Sequence, residues 1–180
     1  MLIPVIPPVV TRYSEYGYHT IQGQISRDDD ADELILLTGF LALVDEDNEL
    51  WDEISQDDAY EFGYGVSLAS LSTGRLRQTY FERRSAKQLY HPDVKRHVVP
   101  WVMDFAQELL WTHRPPMVVR RMAEAVPAGE PPPERFDRMT HFLGRIGYPR
   151  KERYPKRYSD GDRWRWVHEI DPDLLPLEES

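Results

Sequence analysis

The sequence has no cysteine. That absence removes a disulfide framework, a thiolate metal site and a cysteine nucleophile together. No apolar run approaches the roughly 18 residues that cross a bilayer, so no membrane partner is expected. Basic side chains are scarce at the start, where residues 1–62 hold 2 against 15 acidic ones. There is no Walker loop and no Gly-x-Ser-x-Gly elbow, which removes two common phosphate and hydrolase sites. The six histidines, His19, His91, His97, His113, His141 and His168, form no metal-ligand spacing of the His-Glu-x-x-His kind. Asp45, Asp47 and Glu49 begin like a calcium loop, but Leu50 stands where the turn needs glycine and Gln56 where the bidentate glutamate belongs. No metal is expected.

What is present suits one folded unit. The chain has 180 residues, 41% apolar and 12% aromatic, enough to bury a core. Its 15 prolines imply stiff connections. Residues 1–12 read as an extended proline-rich arm, 13–170 as a single α/β domain and 171–180 as an acidic irregular tail. The apolar start lacks the basic stretch of a signal peptide and carries prolines. A soluble, cytoplasmic protein is the expectation. Residues 63–170 hold 20 basic and 12 acidic side chains. Such a split marks either a polyanion-binding half or two halves that neutralise each other.

Alternation predicts a strand over 18–26, and the apolar run 32–44 predicts one buried strand or a bent pair. The acidic segment 45–58 spaces Leu50, Trp51 and Ile54 like one helical face, and a short surface helix or an acidic loop fits it. Residues 60–71 and 75–84 read as a hairpin about Ser72-Thr73-Gly74. Val98, Trp101, Val102, Phe105, Ala106, Leu109 and Leu110 form a helical stripe, with Pro100 in the expected first turn and a stop near His113, before Arg114-Pro115. A strand over 117–122 and a helix over 134–146 follow, the helix closed by Gly147. A basic loop then leads to a closing strand over 163–170. Strands alternating with helices predict a mixed, largely antiparallel sheet with helices packed on its faces.

From residue 60 to 170 this order resembles the core of the GNAT acyltransferase superfamily, which runs through two antiparallel strands, a helix, a strand, a second helix and a final strand pair. Phe142-Leu143-Gly144-Arg145-Ile146-Gly147-Tyr148 is similar to the family's late helix, and Arg163-Trp164-Arg165-Trp166-Val167 falls at its last strand. The resemblance implies a GNAT-like fold, coenzyme A as cofactor and N-acyl transfer as activity. It also implies a splayed strand pair and an anion-binding helix N-terminus near residues 94–100. Lys95, Arg96 and His97, with His91, are the candidate cofactor contacts, and Tyr148 is a residue to probe. The family's glycine-rich segment is replaced here by Tyr90-His91-Pro92-Asp93-Val94-Lys95-Arg96-His97, which has no glycine. Leu143 stands at the position of its general-acid tyrosine. If the fold holds, activity is atypical or lost, and no catalytic residue is assigned.

Three functions stay open. The first is a non-catalytic or atypical GNAT-like protein that docks on a protein or assembly partner, or on a second copy of itself. The second is an acyl-coenzyme A-dependent N-acyltransferase. The third is single-stranded nucleic-acid binding through residues 145–165, where Arg150, Lys151, Arg153, Lys156 and Arg157 alternate with tyrosines and tryptophans. Cations neutralise phosphates and aromatic rings stack on bases.

Overall fold

The computed structural model describes residues 1–54, 58–81, 86–87 and 89–176. The chain divides into two compact units, Met1–Leu41 with Gly63–Ala106, and Ala42–Phe62 with Gln107–Ser180. Its eight strands are β1 (Ile3–Glu15), β2 (Tyr18–Asp28), β3 (Glu33–Leu43), β4 (Ala59–Ser70), β5 (Leu76–Tyr80), β6 (Met117–Arg121), β7 (Arg150–Tyr158) and β8 (Gly161–Glu169). Helices α1 (Pro92–His113) and α2 (Arg135–Arg145) interrupt them. The strands form one mixed sheet in the order β1-β2-β3-β4-β6-β8-β7, with β5 paired to β4. Among the described residues the fold is therefore α/β with an eight-stranded mixed sheet and two helices. Among the described residues, no helix is long and apolar enough to cross a membrane.

In the first unit, Gly17 turns at a φ of 74° and closes a β1–β2 hairpin paired from Glu15 and Tyr18 back to Val9 and Gln24. Residues 1–12, read from the sequence as an arm, are thus largely strand. Ile21 and Ile25 of β2 and Ile35, Leu37 and Leu41 of β3 are buried at alternate positions, the period of a pleated strand. The run 32–44 is one strand, not a bent pair. Asp32 ties its start to the β4–β5 turn, accepting hydrogen bonds from Ser70 Oγ at 2.7 Å and the Ser72 N–H at 2.7 Å. The Ser70 and Ser72 donors hold its carboxyl below the usual range. In β4, Gly63 and Gly65 lie beneath the rings of Phe40 and Phe81; a Cβ would come within 2.5 Å of Phe40 and 2.9 Å of Phe81. These glycines admit aromatic cover from neighbouring segments. The part of the predicted 75–84 strand over 82–84 lies outside the described residues.

Helix α1 corrects the sequence reading. It starts at Pro92 and not near Val98, so Pro100 is interior. Pro92 is the residue that takes the first helical position, where its missing N–H costs nothing. His91 precedes it and accepts the Asp93 N–H on Nδ1 at 3.2 Å. The stripe Val94, Val98, Trp101, Val102, Phe105 is buried. Arg114 ends the helix at a φ of 46°, just before Pro115-Pro116.

The second unit gathers Val44, Leu50, Ile54, Ala59, Met117, Val119 and Val167 into one apolar cluster. Leu50 and Ile54 anchor the acidic segment there through turns rather than a helix, and Trp51 stays exposed. Strand β4 pairs in parallel with β6 through Ala59–Met117 to Glu61–Val119, and β8 lies antiparallel between β6 and β7. The predicted basic loop after α2 is in fact strand β7, nine residues ending the sheet order. An edge strand needs no continuous apolar face and tolerates Pro155, so charge and proline conceal it in the sequence. Gly147 caps α2 at a φ of 101°. Of the tail, Asp171 to Pro176 holds no helix or strand, and Leu175 is buried beside Gly147.

Candidate functional site

The predicted anion contacts sit on the first turns of α1. Lys95 and Arg96 are exposed, while His97 is half-buried and stacks on Trp101 with ring centres 5.3 Å apart. Arg96 Nε donates to His97 Nε2 at 3.2 Å. The structure brings these two together, but each is engaged with the helix itself. His91, by accepting the Asp93 N–H, occupies one of the donors that a pyrophosphate would use.

Tyr148 is fully buried, and its hydroxyl donates to the Leu110 carbonyl at 3.3 Å. Burial pushes its phenol well above the ordinary range. A phenol so placed has no route to a substrate. Leu143 is fully buried as well.

The five candidate nucleic-acid contacts lie along β7, and four have local partners. Lys151 pairs with Glu169 and Arg157 with buried Asp162. Lys156 Nζ is 2.6 Å from Glu53, and Arg153 lies over the Trp164 ring at 5.6 Å. Glu53 also meets Arg165 at 3.3 Å, and Arg165 is fully buried. Burial pushes the Glu53 carboxyl up, but Lys156 and Arg165 outweigh it and hold the group below its usual range. Arg121 of β6 pairs with both Glu49 and Glu61. Within this unit the acidic segment and the basic strands are mutual partners.

Arg150 has no ion pair among the described residues. It faces a groove of about 360 Å3 between α2 and β7, lined also by Asp137, Thr140, His141, Gly144 and Arg145. Behind this wall runs a buried chain of hydrogen bonds. Arg120 Nη2 donates to Thr140 Oγ1 at 2.7 Å, and Arg120 Nε donates to His168 Nε2 at 3.2 Å. His168 Nδ1 then donates to the Tyr148 carbonyl at 2.9 Å. Burial first, then the charges of Arg120 and Arg150, lower the His168 imidazole to about 3, so the ring is neutral. The sequence gives no sign of this chain, since Arg120, Thr140 and His168 are far apart along it.

The other exposed feature is strand β1. Ile6, Val9 and Tyr13 are 52%, 62% and 54% exposed along an edge of the sheet. Among the described residues, no group of three or more histidine or carboxylate side chains could hold a metal ion. Comparison of the chain with protein-family models, with curated proteins and with solved structures found no match.

Proposed function

We propose that the chain is a non-catalytic GNAT-like protein that docks on a protein partner through the outer edge of β1. The observation that carries this is β1, which ends the sheet order and, after an irregularity between Pro4 and Val9, runs regularly paired and without proline from Val9 to Glu15 with Val9 and Tyr13 exposed. An exposed apolar edge is a template for another strand unless something covers it. The element order supports the GNAT-like part: β4–β5, α1, β6, α2, then the β7–β8 pair. The capped start of α1 and the buried Tyr148 hydroxyl favour docking over acyl transfer.

The occupant is an extended partner segment with apolar side chains at alternate positions and a basic residue at each end, added as the next strand. Charge argues for this over a second copy. The start of β1 pairs with Arg27 and lies beside the acidic turn Asp28-Asp29-Asp30, while its end carries Glu15. Two copies paired antiparallel along the strand would set Glu15 of each against the acidic turn of the other. A basic-ended peptide meets complementary charge at both ends.

The test is a nuclear magnetic resonance titration with a short synthetic peptide of alternating valine and threonine flanked by lysines. Saturable shifts confined to residues 3–16, lost in Val9→Lys/Tyr13→Lys, are expected. Concentration-dependent dimerisation in sedimentation without peptide binding would assign the edge to a second copy and overturn this occupant. Saturation by acetyl-coenzyme A with stabilisation of the fold would return the protein to the acyltransferases.

A further inference from the structure

We propose that the groove between α2 and β7 binds the phosphate group of a small phosphate monoester. Arg145 and Arg150 line it from the end of the helix and the start of the strand, with His141 one helical turn before Arg145. Neither arginine has an ion pair among the described residues, whereas four basic residues further along β7 are occupied by carboxylates or a ring. Asp137 is the single carboxylate of the lining. Behind the wall, Arg120 holds Thr140 and adds a third guanidinium charge.

Burial chiefly lowers the imidazole of His168, and the charges of Arg120 and Arg150 add to that effect. The groove floor gives an independent argument. Gly144 is inside α2, where glycine costs roughly 1 kcal/mol relative to alanine. Its neighbours do not require it, because a Cβ there would meet only Pro149 Cα, at 3.9 Å. Packing would accept alanine; the missing side chain leaves the space between the arginines and the imidazole open.

The groove is largely open to solvent, which suits a small ligand held by its charged group rather than one enclosed by the protein. Two guanidinium forks suit a dianion with three oxygens better than a carboxylate, which one fork satisfies. A polynucleotide would need the cationic track to continue, and along β7 it is neutralised within the unit. The inference uses no part of β1, so it stands or falls apart from the docking proposal.

The test is titration of the full chain with phenyl phosphate, with phenylacetate and a single-stranded oligonucleotide as comparisons, followed by amide shifts of residues 137–150. Phenyl phosphate should bind saturably and phenylacetate far more weakly. Arg145→Gln and Arg150→Gln should each weaken binding roughly tenfold or more, the loss of one charge-assisted contact. Arg153→Gln should leave it unchanged. Gly144→Leu should block binding in a chain whose thermal midpoint shows that it folds. Equal binding of phenylacetate, equal response in Arg153→Gln, or no saturation at millimolar phenyl phosphate would overturn the proposal. Tighter binding of the oligonucleotide, sensitive to Arg153, would assign the surface to nucleic acid instead.

Discussion

The strands that end the sheet order, β1 and β7, are guarded in opposite ways. Strand β7 is built almost wholly of charged and aromatic residues, and in the sequence it reads as a basic loop whose composition suits single-stranded nucleic acid. In the structure its cations meet Glu169, Glu53, Asp162 and the ring of Trp164. Charge on an edge strand discourages further pairing, and here counter-charges also consume most of it. Strand β1 covers most of what reads in the sequence as an extended proline-rich arm, with three prolines and few charges. From Val9 to Glu15 it has no proline, and Val9 and Tyr13 are exposed. Local composition does not show how much of each edge is already satisfied inside its own unit; the ion pairs do.

The largest test of this contrast is to break the guard of β7. Glu53 holds Lys156 and the fully buried Arg165. Glu53→Ala leaves a buried guanidinium without its carboxylate, a change that costs about 3–5 kcal/mol. The denaturant midpoint should fall accordingly. Adding Arg165→Met should recover much of the loss, because the unpaired charge goes with it. If Glu53→Ala is nearly neutral, the ion pairs do not organise this edge.

Acid separates the two edges next. Each lies beside a histidine with a lowered pKa: His19, near Ser14 of β1, lowered by partial burial, and His168 on β8, across from Arg150 and lowered to about 3. A histidine favoured neutral in the fold stabilises it above the ordinary value of 6.5. That contribution is lost as pH falls from there toward the folded value, because the unfolded chain takes the proton first. For His168 the loss runs at up to about 1.4 kcal/mol per pH unit between those limits. The difference in stability between the wild type and His168→Gln should therefore shrink steadily from pH 6.5 downward. A His19→Gln difference should move much less. Parallel pH curves for wild type and His168→Gln would show that the buried imidazole is not held neutral.

Much of the architecture was legible because it rests on period and punctuation. Ile21 and Ile25 alternate, the stripe from Val98 to Leu110 repeats at helical spacing, and Gly147 and Pro115-Pro116 end their helices where backbone geometry requires. Strand β7 was not legible, since an edge strand needs no apolar alternation. The start of α1 was misplaced because Pro100 and Pro92 both look like first-turn residues, and only the His91 cap distinguishes them. Arg145 and the basic residues of β7 were visible as composition. Which of them meet carboxylates was not, because Glu53 and Glu169 are brought to them only by the fold.

The smallest effects are the most pointed comparison of the edges. Lys151 and Glu169 are half-exposed partners, so Lys151→Ala should cost less than about 1 kcal/mol, and less still at high salt. Val9→Lys/Tyr13→Lys changes two exposed side chains and should leave stability within about 0.5 kcal/mol per site. By stability the two variants are nearly alike. By partner binding they should differ completely: the β7 change should leave the valine–threonine peptide bound, and the β1 change should abolish its binding. Loss of the peptide in Lys151→Ala with retention in the β1 variant would reverse the assignment of the edges, and would make the charged strand, despite its internal partners, the docking surface.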